Sequence, residues 1–157
     1  MTVSANEMMD KFRTMFSKKK SHSIAAFVDG PNIIRKELNV DLQEVKQKLN
    51  KYGKIKIAKV FLDQYASDKL IEAVTNQGFE VVITPSDVDV ALAVEATQAC
   101  FNESIDAIAI VSRDSDFKPV LMRAKERGRE TIVVGTEPDF STALKNSADI
   151  VINMKEK

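Results

Sequence analysis

The chain of 157 residues predicts an α/β fold of three layers, in which helices cover both faces of a mostly parallel sheet of five to six strands. Three observations predict it. From residue 24 onward, short β-branched runs alternate with helical patterns, and repeated β-α units of this length form parallel strands. Two apolar runs, Phe27-Val28-Asp29-Gly30-Pro31-Asn32 and Ile110-Val111-Ser112-Arg113-Asp114-Ser115-Asp116-Phe117, end abruptly in carboxylates. Such points fall at the carboxyl ends of parallel strands, where open α/β sheets bind ligands. Finally, 44% hydrophobic and 29% charged residues suit a single domain whose core needs neither disulfide nor structural metal.

The elements follow in order. Ile24 to Asp29 is a short apolar strand, and after a Gly-Pro turn helical material runs to about Tyr52. There Leu42, Val45 and Leu49 recur at helical spacing behind Asp41, a suitable N-cap. Gly53 ends that helix. Lys54 to Leu62 alternates Lys-Ile-Lys-Ile before turning apolar, as a strand nearer a sheet edge does. Ala66 to Gln77 reads as a helix closed by Gly78, and Phe79 to Ile83 as the third strand. Val88 to Phe101 is an Ala-rich, strongly apolar helix. Ala107 to Val111 is the most hydrophobic strand and the expected centre of the sheet. Ser115 to Arg127 is a helix stopped by Gly128, Thr131 to Val134 a fifth strand, Phe140 to Lys145 a short helix, and Ile150 to Ile152 a last strand.

Residues 1–22 differ from the domain expected over 23–157. Met8, Met9, Phe12, Met15 and Phe16 fall on one face of a helix, followed by Lys18 to Lys20. That amphipathic helix is expected to pack on its own domain or to join copies of the chain into a homo-oligomer, rather than to bind a membrane.

Composition excludes several chemistries. No apolar run approaches the roughly 20 residues that span a bilayer, and charges interrupt the N-terminus before a signal-peptide core builds up. The single cysteine, Cys100, allows no intrachain disulfide, which suits a reducing cytoplasm. With His22 the only histidine, in a polar Lys-Ser-His-Ser stretch, a zinc site or a Ser-His-Asp triad is not expected. Basic and acidic residues balance at 23 each, which argues against coating nucleic acid by bulk charge. Local basic clusters remain at Lys18–Lys20, at Lys51, Lys54, Lys56 and Lys59, and at Arg123, Lys125, Arg127 and Arg129.

The carboxylates carry the chemistry. In the doubly wound order 3-2-1-4-5, strands one and four are neighbours, and a crevice opens where the connections reverse. Asp29 ends strand one, Asp114 and Asp116 follow strand four, and Asp87 and Asp89 open the helix after strand three on the same rim. Asp106 and Asp149 precede strands and belong to the opposite edge. Like charges gathered this closely resist joint ionisation. A divalent cation resolves the conflict, and an all-oxygen donor set favours Mg²⁺ or Mn²⁺ over zinc. Such ions polarise a phosphodiester, activate water and stabilise the leaving oxygen. Structural duties compete for the same residues: Asp114 or Ser115 as a helix cap, Asp116 in a first helical turn, Ser86 with Asp89 as a capping box, and Asp29 as a turn residue.

Asp29 with Asn32, then Asp89-Val90-Ala91-Leu92, then Ser112-x-Asp114-x-Asp116-Phe117, together resemble the NYN domain family, LabA-like members of the PIN-domain-like nuclease superfamily. The resemblance covers about residues 24 to 153. It implies a PIN-like fold and metal-dependent cleavage of RNA, with Asp29, Asp89, Asp114 and Asp116 as metal-site acids. It also implies that Asn32 supports the first turn or binds substrate, and that Ser112 orients the loop. Three positions depart from the family pattern. Arg113 stands where glycine is common, Glu95 where a second helix acid is common, and Ser86-Asp87 where a lysine is often found. Arg113 and Lys118 are expected to contact RNA phosphate.

The expected function is therefore a Mg²⁺- or Mn²⁺-dependent endoribonuclease, with a non-catalytic RNA-binding module as the alternative. A phosphatase of the haloacid-dehalogenase type fits less well, because the second aspartate two residues after Asp29 is missing. Dinucleotide binding fits worse still, as no G-x-G-x-x-G follows the first strand.

Overall fold

In the computed structural model, which describes residues 3–11 and 22–155, six parallel strands form one sheet in the order β3-β2-β1-β4-β5-β6. The strands are β1 (Ser23–Asp29), β2 (Lys54–Asp63), β3 (Glu80–Thr84), β4 (Ala107–Val111), β5 (Glu130–Gly135) and β6 (Ile150–Asn153). The helices between them are α1 (Gly30–Ile33), α2 (Leu42–Leu49), α3 (Asp68–Asn76), α4 (Val88–Cys100), α5 (Lys118–Glu126) and α6 (Thr142–Ser147). The expected order holds, with β6 added beside β5, and every pairing is parallel.

Strand alternation sorts the core into two layers. Ala25 and Phe27 of β1 and Ile108 and Ile110 of β4 pack with α4, α5 and α6 through Leu92, Ala96, Leu121 and Leu144. Ile24, Ala26 and Val28, with Ala107, Ala109 and Val111, pack instead with Val45 and Leu49 of α2 and Val74 of α3. Because side chains alternate along a strand, Asp29 falls on the α4–α5 side of the sheet. Ser112, one residue beyond β4, falls there too, and the Val28–Val111 register brings it level with Asp29. The two inner strands are buried throughout. The lysine alternation in β2 has a physical cause: β3 pairs only from Lys59 onward, so Lys54 to Ala58 have no neighbour on that side.

Four helices differ from expectation at their boundaries. The helical run toward Tyr52 is broken, because Arg35 is extended and Asn39 is left-handed at φ 52° between the short 3-10 turn Lys36–Leu38 and α2. Asp41 then caps α2 through the Gln43 N–H, as its position predicted. The helix expected from Ala66 begins at Asp68, because the Ser67 hydroxyl accepts the Leu70 N–H and fixes the start. The helix expected from Ser115 opens as a 3-10 turn, Ser115–Phe117, and becomes α-helical only at Lys118. The helix expected over Phe140 to Lys145 runs Thr142–Ser147, because the Ser141 hydroxyl accepts the Leu144 N–H.

Of the expected N-terminal helix, residues 5–11 are helical, with Met8 62% and Met9 52% exposed. Phe12, Met15, Phe16 and Lys18 to Lys20 lie outside the described residues. Among the described residues, no helix is long and apolar enough to cross a membrane.

Candidate metal centre

Three carboxylates from three separate chain segments meet at the carboxyl edge of the sheet. One oxygen from each of Asp29, Asp89 and Asp114 lies within 4.8 Å of the others. Each is placed by a different local device. Asp29 is the last residue of β1, and only 2% of it is exposed. The chain must turn into α1 directly beside β2, so glycine follows: a Cβ on Gly30 would lie 2.5 Å from the Phe61 carbonyl oxygen. Asp89 sits in the first turn of α4, where the helix dipole favours a carboxylate. Asp114 follows β4, and its Oδ1 accepts the Asp116 N–H at 2.9 Å.

The competing structural duties resolve residue by residue. Asp114 does cap the 3-10 turn while also joining the cluster. Asp89 belongs to no capping box, because the N-cap of α4 is Asp87 and the Ser86 hydroxyl pairs with that of Thr84. Asp106 and Asp149 lie at the opposite edge, as expected. Asp106 accepts the Ser23 N–H, and Asp149 accepts the Thr131 N–H and hydroxyl. The Thr131 N–H holds the Asp149 carboxyl below the usual range.

Asp116 and Glu95 stand apart from the three. Asp116 is exposed and not part of the close cluster, although its charge acts on Asp89. Glu95 pairs instead with Lys59 at 2.7 Å. Lys59 lies level with Phe27, two residues short of the rim, so that ion pair braces α4 against β2.

Electrostatics set the cluster's character. Burial, then repulsion from Asp89, pushes the Asp29 carboxyl up to about 6, while the Ser112 hydroxyl and the Asn32 N–H pull it back. Burial, then the charges of Asp114, Asp116 and Asp87, also raise Asp89. Asp87, paired with Asp89 at the start of this helix in the sequence, contributes to the field. A compact set of hard oxygen donors, partly desolvated and held against its own repulsion, fits a divalent cation such as Mg²⁺ or Mn²⁺.

A cation held by the cluster would compete with a proton for Asp29, because a ligand carboxylate must be ionised. Lowering the pH from 7 to 5 crosses its value of about 6 and leaves roughly a tenth of it ionised. Calorimetry should therefore show Mn²⁺ binding weaker by roughly tenfold at pH 5 than at pH 7. Near pH 6, binding should release protons, visible as a dependence on the buffer's ionisation enthalpy. Equal affinities at the two pH values would contradict the assignment of Asp29.

The remaining expected site residues form a network beneath the acids. Ser112 Oγ donates to Asp29 Oδ2 at 3.1 Å and accepts the Asp114 N–H at 3.1 Å, so one hydroxyl links two cluster acids. Asn32 Oδ1 accepts the Arg113 N–H at 2.9 Å and its Nε at 3.3 Å. Arg113 is 8% exposed, and its Nη1 and Nη2 donate to the Pro138 and Asn32 carbonyls at 2.7 and 3.0 Å. The guanidinium expected to meet RNA phosphate is thus turned into the protein. Lys118 is exposed at the start of α5.

The model of the NYN domain family matches residues 23–155. The chain belongs to the NYN domain family. Among relatives of this NYN domain is the uncharacterized protein MJ0482 of Methanocaldococcus jannaschii, 56% identical over 140 residues. That match covers 89% of the chain and 58% of the relative, so the chain spans little more than half the relative's length. The crystal structure of a protein of unknown function, VPA0982 from Vibrio parahaemolyticus, shares the fold of this NYN domain with a TM-score of 0.76. At 21% identity, the similarity covers 87% of the chain and 94% of that structure.

Proposed function

We propose that this NYN domain is a Mg²⁺- or Mn²⁺-dependent ribonuclease that hydrolyses RNA phosphodiesters at the rim cluster. The observation that carries the reading is the convergence of Asp29, Asp89 and Asp114 within 4.8 Å, with Asp29 raised to about 6. A bound divalent ion would supply Lewis acidity toward the phosphodiester and neutralise the developing charge, water being the attacking group.

The chain's own residues divide the remaining work. Asp29, Asp89 and Asp114 hold the ion, and Asp116 stands at the outer side of the same acidic field. Ser112 fixes the Asp29 and Asp114 carboxylates relative to each other. Asn32 and Arg113 hold the two strand-end loops together and so position the acids. Lys118, exposed at the start of α5, contacts substrate phosphate in this reading.

The test is cleavage of labelled RNA with Mg²⁺ or Mn²⁺, compared with Asp114→Asn. The wild-type protein should cut in the presence of either ion, and the variant should lose most of that activity. Cleavage undiminished in the variant would remove the site assignment. RNA binding without cleavage at any concentration of either ion would leave a non-catalytic RNA-binding module as the function.

A further inference from the structure

We propose that the groove between the α1–α2 connection and α3 is a track for single-stranded RNA leaving the acidic cluster, with Arg35 and Lys36 on phosphate and Tyr65 stacked on a base. This deepens the nuclease reading and rests on it.

Position comes first. α1 begins immediately after Asp29 and packs against the end of β2, and the segment that follows stays at the carboxyl edge of the sheet: Asn32 bonds the Arg113 loop, and Arg35 reaches back to Pro31 from the α2–α3 side of that edge. Between this segment and α3 is a groove of about 450 Å³ lined by Ile34, Arg35, Lys36, Asn39, Val40 and Leu70. Apolar surface interrupted by a few polar groups is the usual make-up of an organic ligand site. Here the polar groups include two cations, and Glu37 does not line the groove.

The groove's shape is fixed by local bonds. The Asn39 N–H donates to the Arg35 and Lys36 carbonyls, closing the turn. Arg35 Nε donates to the Pro31 carbonyl at 2.9 Å, which anchors the guanidinium on the side of α1. Its terminal nitrogens take no protein partner among the described residues, and both Arg35 and Lys36 are exposed.

Tyr65 adds the second kind of contact. It lies in the turn from β2 into α3, five residues before Leu70, and is 84% exposed. Its own N–H donates to Asp63 Oδ1 at 2.9 Å and the Ala66 N–H donates to the Asp63 carbonyl, so the turn's backbone is tied to Asp63 while the ring stands in solvent. A ring so exposed contributes little to the fold. Tyr65 does not line the groove itself but stands in the turn that leads into its α3 wall, and exposed aromatics are the recurring platform for unpaired bases.

Charge makes such a track necessary. The cluster is strongly anionic, and an RNA strand approaching it needs cations close by. Arg113 is turned inward, but Lys118, which opens α5 after β4, is exposed, as are Arg35 and Lys36, which follow α1 after β1.

Binding is measured in an Asp114→Asn background, so that the comparison does not depend on turnover. Anisotropy of a fluorescein-labelled oligoadenylate of about ten nucleotides serves as the readout. Arg35→Glu with Lys36→Glu should weaken binding at least about tenfold and lower the salt slope by roughly 1 to 2. The charge-matched pair Arg123→Glu with Arg127→Glu, on α5 and its C-terminal cap, should leave binding unchanged. Tyr65→Ala should weaken binding by roughly 5- to 100-fold, and Tyr65→Trp should restore it. The chain has no tryptophan, so the introduced indole is a sole reporter and should be quenched as RNA saturates the site.

Wild-type affinity in the Arg35/Lys36 double variant, or equal losses in both charge-reversed pairs, would overturn the track. An indole unquenched at saturation would overturn the stacking role. If the wild-type protein cuts no RNA with either ion, the nuclease reading fails, while these binding comparisons still decide the track.

Discussion

Asp29→Asn is expected to abolish metal-dependent RNA cleavage and, in the same protein, to raise the melting temperature of the metal-free form above pH 7. The two effects have one origin. In the unfolded chain this carboxyl ionises near 4, whereas in the fold burial and Asp89 hold it to about 6. Between those values the unfolded chain has released the proton and the folded one has not. Stability therefore falls as pH rises through that window, and the full penalty is present above it. Two pKa units correspond to about 3 kcal/mol. Asparagine keeps the shape and an acceptor for Ser112 but never ionises, so it removes the penalty. For a domain of this size the melting temperature at pH 8 should rise by about 6–12 °C, and the gain should disappear near pH 4.

A metal ion should reverse that ranking. A cation at a thousand times its dissociation constant stabilises the wild-type protein by about 4.1 kcal/mol, more than the penalty of the buried charge, and has little hold on the variant. Cleavage should drop at least about 10³-fold, since the lost charge stabilisation is several kcal/mol and each 1.36 kcal/mol is tenfold in rate. Melting curves at pH 4 and pH 8, with and without Mn²⁺, together with the cleavage rate, check all of this. Identical melting of variant and wild type at pH 8 would mean that Asp29 carries no unrelieved charge. The site thus destabilises the empty fold, which is the usual relation between a functional cluster and the scaffold that holds it.

Much of this geometry was legible in the sequence because it follows from strand period and connection rules. Alternation places Asp29 and Ser112 on one side of the sheet. The parallel order makes β1 and β4 neighbours, so two aspartates about eighty residues apart were bound to approach. The apolar, Ala-rich α4 was readable to within a residue, because it carries no competing polar side-chain cap along its length. Other features depend on single torsions or single bonds. The break before α2 turns on Asn39 adopting a left-handed conformation, one residue's choice inside an otherwise helical composition. The 3-10 opening of α5 turns on the Asp114 carboxylate capturing the Asp116 N–H.

The candidate site was legible as a set of acids, but not which of them converge. Asp116 and Asp89 are equivalent in a motif. Only the helix start carries Asp89 inward, while Asp116 spends its N–H on Asp114 and stays in solvent. Arg35, Lys36 and Tyr65 form no motif in the sequence.

Arg113 is the position where local reasoning and the fold diverge most, and its replacement by alanine is expected to cost about 2–4 kcal/mol. An arginine between two acids reads as a phosphate clamp, since guanidinium and phosphate are geometrically matched. The fold instead gives this guanidinium three oxygen acceptors of its own: the Asn32 side chain, the Asn32 carbonyl and the Pro138 carbonyl. Alanine leaves both carbonyls without that donor in a part-buried setting and opens the space the side chain filled, which accounts for the expected loss. The melting temperature should fall by about 5–10 °C. Lysine should recover little, because one ammonium cannot reach three acceptors on two loops. The kinetic signature separates the two roles. A phosphate clamp lost from the surface would raise KM for RNA and leave Mn²⁺ affinity intact. A positioning residue lost from under the acids should weaken Mn²⁺ binding and lower kcat, because the Asn32 and Ser112 contacts that orient Asp29 loosen together. Unaltered Mn²⁺ affinity with a raised KM in Arg113→Ala would return this side chain to the substrate.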